Sequence, residues 1–400
     1  MGKTRISSNV NPQVEYPNIK ILLHEHLVRL PYLPGIIYSK KTLSYLFYLI
    51  AWPCIISGTA QYLLLAILKR FANLTFYTID PTLFLGSTGF WLLITCFLWS
   101  IIASVIRYFF QQSINQPNLQ HWIFPLTVLE NRDINDKHLR TIIKFTYAKV
   151  KFVLYAVACA AFSFYIPILI GLPAQYLPWT LFNAVNTAFH GYICTAWEFN
   201  FIFLLGFYLY YCGLRYSKLT SSFRRQLISQ SVYHTENPQF NLTPYYDEGL
   251  RRFTQKIIKL AKEIDKAENF WYRVNNTVFM GTFLAETLLL YLTFFANTEG
   301  AILCCCIFLG LLTIFYGQSI NFIPGIYLQH KFDEAVNDTK KWINHSSYLA
   351  RLRALTVLDY LTERHLFVVF WCVDTTTWNY LKVQAEVAML LLLLISNSRR

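Results

Sequence analysis

Residues 40–70 read KKTLSYLFYLIAWPCIISGTAQYLLLAILKR, an apolar run closed at each end by a pair of basic residues. The run from 43 to 68 exceeds the roughly 20 apolar residues that carry a helix across about 30 Å of hydrocarbon. Six further runs follow at 83–109, 153–172, 190–214, 277–297, 300–325 and 366–396. Backbone N–H and C=O groups in lipid must be satisfied within the segment, so the runs predict helices. Thirty of the thirty-five Lys and Arg residues fall before the first run or in the alternate connections after the second, fourth and sixth. Cytoplasmic connections collect such residues. The expected architecture is therefore an all-α membrane protein of seven transmembrane helices, N-terminus cytosolic and C-terminus extracellular.

The composition agrees: 55% hydrophobic, 18% aromatic, with a mean hydropathy of +0.34. A net charge of +13 is explained by topology and by attraction to an anionic leaflet, so a nucleic-acid partner is not expected. Residues 1–42 form a cytosolic N-terminal segment without the apolar core of a cleavable signal. Residues 43–400 form the membrane domain, with cytosolic helical extensions at about 215–276 and 326–365. In the first extension Phe253, Ile257, Leu260, Ala261 and Ile264 recur at helical spacing between Lys256, Lys259, Lys262 and Lys266. Outer connections are short: about 14 residues after the first run, 17 after the third, and a turn at Asn297-Thr298-Glu299-Gly300. The sequon at Asn73 lies in the first of them.

Enzyme signatures are missing. No phosphate-binding glycine loop, dinucleotide turn or nucleophile elbow occurs, and His24-Glu25-His26 lacks the one-turn spacing of two metal ligands on a helix. No enzyme activity, metal or cofactor is expected. Cys194 and Cys304-Cys305-Cys306 lie near outer ends, where a disulfide could form, although buried small apolar residues are the plainer reading.

Ionisable residues in lipid-spanning runs are costly and gather at sites or at interhelical pairs. Glu198, Glu286, Asp374, Lys382 and Glu386 are of this kind. Aromatic residues converge on the outer half, among them Phe84, Trp91, Phe162, Phe164, Tyr165, Trp197, Phe199 and Tyr291. Walls of this kind with a polar handle suit a small organic ligand, and an interfacial aromatic belt is the plainer alternative. The candidate ligand-binding residues are Trp91, Phe162, Tyr165, Trp197, Glu198 and Tyr291. On the last run, about 100° per residue aligns Thr377, Gln384 and Leu391, with Leu381 and Ala388 alongside. Thr377, Leu381, Gln384 and Ala388 are candidate pore-lining residues on an axis shared by several subunits. Lys382 and Glu386, one turn apart, form a possible pair on nearly the opposite face; ordinary helix packing accounts for the same pattern.

Thr377-Trp378, five residues, then Gln384-Ala385 resembles the Thr-Tyr, five hydrophobic residues, Gln-Phe signature of insect gustatory receptors. The lead-in Tyr360-Leu361-Thr362-Glu363-Arg364-His365-Leu366-Phe367 is similar to that family as well. Trp378 stands where Tyr is usual, Ala385 where Phe is usual, and Asn379 and Lys382 interrupt the hydrophobic five. The resemblance is to a divergent member of the insect gustatory and odorant receptor superfamily. It implies a chemosensory receptor of the plasma membrane, a homo- or heterotetramer acting as a ligand-gated non-selective cation channel. It further implies a small organic ligand in the outer half, Gln384 at the narrow part of the pore, and an anchor built from 253–270 and 340–365. A seven-helix receptor coupled to G proteins would need the opposite orientation, and its Asp-Arg-Tyr triplet and Asn-Pro-x-x-Tyr motif are missing. A membrane transporter or enzyme would use Glu198, Glu286 and the Lys382–Glu386 pair as its path.

Overall fold

Apolar runs without competing polar side chains close their own backbone hydrogen bonds, and the chain follows that rule. A computed structural model describes residues 42–71, 88–115, 152–171, 177–236, 243–295, 300–314, 319–362, 368–369, 373–374 and 377–398. The segment 1–41, Asn73, Phe84, the turn residues 297–299 and the side chains of Trp197 and Thr377 lie outside the described residues.

The helices are α1 (Thr42–Phe71), α2 (Thr88–Asn115), α3 (Phe152–Ser163), α4 (Ile166–Gly171) and α5 (Leu177–Glu236). After them come α6 (Thr243–Phe294), α7 (Gly300–Leu312), α8 (Ser319–Ile343), α9 (Tyr348–Thr362) and α10 (Thr377–Ser398). Strands β1 (Val368–Val369) and β2 (Val373–Asp374) pair antiparallel ahead of α10, Val369 opposite Val373. Among the described residues, three helices are long and apolar enough to cross a membrane, over Gly89–Phe110, Leu177–Ser229 and Thr243–Phe294. Shorter apolar stretches cover Trp52–Leu68 and Phe152–Ser163.

Three boundaries depart from the sequence reading. The connection expected after the third run is helical from Leu177, so α5 spans 60 residues. Pro178 sits in the first turn, where a missing N–H costs nothing. Thr180, Asn183 and Thr187 lower the hydropathy yet turn inward, and Asn183 Nδ2 donates to the Trp179 carbonyl at 2.9 Å. The sixth run is not one described helix: α7 passes into a π-turn at 313–314, and α8 begins at Ser319. The last run begins extended rather than helical, because Val368, Val369 and Val373 favour strand geometry; Asp374 therefore lies on β2.

α6 is the hub, packing against α2, α5, α7, α8, α9 and α10. Beyond the apolar segments, the far half of α5, the first half of α6, α8 and α9 form a second, polar-surfaced bundle. Its core stacks Phe223 on Phe253 at 4.1 Å and sets Tyr216 edge-on to Phe332 at 5.6 Å. Phe253, Ile257, Leu260, Ala261 and Ile264 are buried there while Lys256, Lys259, Lys262 and Lys266 are exposed. Arg224 spans α5 to α8 as a fork, Nε to Asp338 Oδ2 at 2.6 Å and Nη2 to Oδ1 at 3.0 Å. Asp338 is only 4% accessible, so Arg224→Ala, which strands that carboxylate, is expected to lower stability by about 2 kcal/mol in thermal unfolding. Glu248 accepts from Arg251 and Arg252 and is held down to about 2, so these ion pairs persist until the pH falls toward that value.

Gly300 and Gly213 are among the glycines required by geometry. Gly300 opens α7 at φ 60°, a left-handed conformation that costs a side chain roughly 1 kcal/mol. At Gly213 a Cβ would lie 2.6 Å from the Tyr327 ring, so glycine permits the close crossing of α5 and α8. Gly213→Val is expected to destabilise by about 2–3 kcal/mol, read as a lowered unfolding midpoint.

Candidate functional site

The elements converge on an internal cavity of about 150 Å³, walled by α2, the end of α3, α5, α6 and α7, with Tyr62 from α1. Its surface is overwhelmingly apolar and aromatic: Trp99, Phe164, Tyr165 and Phe199 supply rings, Leu92 and Val157 aliphatic surface. Thr313, in the π-turn that follows α7, also reaches it. Most hydroxyls on the wall are committed. Thr95 donates to the Trp91 carbonyl at 2.8 Å, Thr282 to Phe279 at 3.1 Å and Thr313 to Leu309 at 2.9 Å. Tyr165 and Thr187 share a hydrogen bond of 3.0 Å.

Glu198 differs from these. It is 6% accessible and lines the cavity; Oε2 accepts from Trp99 Nε1 at 2.5 Å, and Oε1 is buried with no hydrogen-bond partner. A buried carboxyl oxygen without a donor is costly. One and two turns back along α5 from Glu198, Cys194 and His190 form a separate cluster that does not line the void. His190 Nε2 meets Ser100 Oγ at 2.8 Å, Nδ1 meets the Cys54 carbonyl at 3.1 Å, and Cys194 Sγ lies 3.5 Å from Nε2. This cluster ties α1, α2 and α5 behind the cavity. Cys194, Cys304, Cys305 and Cys306 are free thiols.

Of the residues named from sequence, Tyr165 and Glu198 line the cavity. Phe162 is half-buried beside Tyr165. Trp91 is 40% accessible and edge-on to Phe90, and Tyr291 is buried against Phe295; neither lines the void. Trp99 and Tyr62 were missed, because they lie deeper than the outer aromatic tier. A signal existed for Trp99: an acid inside a span needs a donor, and an indole N–H is one that hydrocarbon tolerates.

The sequence matches no protein-family model, and no curated protein sequence matches it. In three dimensions it is similar to the insect olfactory receptor OR5 from Machilis hrabei. The TM-score is 0.65 at 12% identity, over 95% of this chain and 99% of that one. The chain has the fold of an insect olfactory receptor.

Within that fold α10 packs on α6 with Val383 and Val387 buried, Val383 joining Phe279, Phe322 and Tyr380. Gln384 is half-buried beside this seam, while Leu381 and Ala388 are exposed on the outward side. Lys382 and Glu386 do not pair inside the protein as the sequence geometry suggested. Both are exposed, and the Lys382 ammonium lies over the Trp378 ring at 5.9 Å. Val383 and Val387 take the inward positions because the apolar i, i+4 stripe wins the packed face.

Proposed function

We propose that the chain is a multi-pass plasma-membrane chemosensory receptor of the insect gustatory and odorant receptor superfamily, with seven transmembrane helices, a cytosolic N-terminus and an extracellular C-terminus. It acts as a ligand-gated non-selective cation channel, opened by a small organic compound in the cavity beside Glu198. The observation that carries this is an aromatic cavity enclosed within a fold shared over 95% of the chain with an olfactory receptor. A void of about 150 Å³ matches engineered cavities that hold benzene, so the ligand has about six to eight non-hydrogen atoms.

The channel is a homo- or heterotetramer around α10. Supporting this, α10 leaves Leu381, Lys382, Ala385, Glu386, Ala388 and Met389 exposed in the single chain. Two charges facing hydrocarbon are costly, whereas a neighbouring subunit or a water-filled axis accommodates them. Thr377 and Gln384 complete the pore wall. The polar bundle of α5, α6, α8 and α9 is the cytosolic anchor. Ligand binding opens the pore by its greater affinity for the open arrangement.

Whole-cell recording from cells expressing the chain, alone and with a related subunit, tests the reading. Small aromatic volatiles are expected to evoke a cation current, and Gln384→Ala is expected to shift its permeability ratios. Unchanged ratios would remove α10 from the pore. A C-terminal tag that antibodies reach only after permeabilisation would sink the topology.

A further inference from the structure

A carboxylate in an apolar, aromatic chamber restricts what may occupy it. Glu198 presents one oxygen, Oε1, with no hydrogen-bond partner, although the side chain is only 6% accessible. Its other oxygen accepts the Trp99 indole N–H at 2.5 Å, which leaves Oε1 as the open hydrogen-bonding position of the carboxyl group. Among the described residues lining the cavity there is no Lys, Arg or His to balance it. His190 lies on the same helix, but both ring nitrogens are engaged with Ser100 and the Cys54 carbonyl. The chamber thus holds one acidic group, no counter-charge, and ring faces from Trp99, Phe164, Tyr165 and Phe199.

We infer that this cavity selects a small protonated aromatic amine, its ammonium paired with Glu198 Oε1 and its ring held among Trp99, Phe164 and Phe199. The inference rests on the cavity being the ligand site proposed above and adds the class of ligand. Two features of a primary arylalkylamine match the site. An ammonium donates hydrogen bonds and carries the missing charge, and it is attracted to the faces of neighbouring aromatic rings. A single ring with a one-carbon arm also fits the volume, at about eight non-hydrogen atoms. A neutral alcohol or hydrocarbon fills the same space but leaves the carboxylate without a counter-charge. An aldehyde fits only where Glu198 is protonated and donates.

The test uses the purified full-length chain in lipid nanodiscs, with benzylamine, benzyl alcohol and benzaldehyde titrated at neutral pH by calorimetry. Wild type is expected to bind benzylamine at least about tenfold more tightly than benzyl alcohol. Glu198→Gln keeps size and planarity while removing the charge; it is expected to abolish that preference by weakening benzylamine alone. Unchanged benzyl alcohol binding in the variant reports an intact cavity. Equal binding of all three by wild type, or a preference for benzaldehyde, would overturn the amine assignment while leaving the ligand cavity in place. Binding of none of them by a chain that still melts cooperatively would overturn both. The wild-type comparison decides the matter even if Glu198→Gln fails to fold.

Discussion

Gly58→Ala is expected to cost about 3 kcal/mol, and most of that cost is expected to disappear when the chain also carries His190→Ala. An added Cβ at Gly58 would lie 2.2 Å from His190 Nδ1 and 2.4 Å from Cε1, distances that no relaxed contact reaches. The ring cannot swing aside cheaply. Nδ1 is held at the Cys54 carbonyl at 3.1 Å, Nε2 at Ser100 Oγ at 2.8 Å, and Tyr62 meets the ring edge-on at 5.5 Å. His190 is 1% accessible, so a displaced ring has no solvent to enter. One methyl group therefore forces α1 away from α5, or breaks two buried hydrogen bonds. Unfolding midpoints of the two single variants and the double variant in nanodiscs measure the coupling. An unaltered midpoint for Gly58→Ala would mean that α1 and α5 are not held this closely.

The second large effect belongs to Trp271, which is wholly buried in α6, stacked on Tyr208 at 6.0 Å and edge-on to Phe270 at 4.9 Å. Trp271→Ala removes the largest side chain in the main core and is expected to cost about 4 kcal/mol. Trp271→Phe is expected to cost less than half as much. The indole Nε1–H has no hydrogen-bond partner, so phenylalanine loses packing but also discards an unmet donor. Chemical unfolding of the three proteins separates the cases. Equal losses for Phe and Ala would show that the indole itself, rather than ring volume, is what the core requires.

The helical repertoire was legible because apolar period and length determine it, and the amphipathic start of α6 was read correctly down to individual buried positions. The beginning of α5 was not, since Asn183 and Thr187 look like loop residues until their partners are known. Those partners lie elsewhere in the fold: Tyr165 for Thr187 and Gln61, at 3.5 Å, for Asn183. The strand pair before α10 was hidden by its hydrophobicity, which suits a membrane helix and a strand equally. Glu198 was visible as a costly residue, but Trp99, its hydrogen-bond donor, stands 99 positions away in sequence. Spacing along one chain cannot reveal such a partnership. The inward turn of Val383 likewise depended on Phe279 and Phe322, which belong to other helices.

α5 runs unbroken from beside the cavity to residue 236 in the polar bundle, with no recorded interruption of its helix. From Glu198 to that end is about 57 Å of continuous helix. Such a rod is a lever arm whose fulcrum is the close crossing with α8 at Gly213. From that crossing to the far tip is about 35 Å, so a tilt of about 1° imposed at the ligand end is returned there as a sweep of about 0.6 Å. Leverage of this kind needs no chain of rearranging side chains, only stiffness, and a softened shaft would uncouple the two ends while leaving each of them folded.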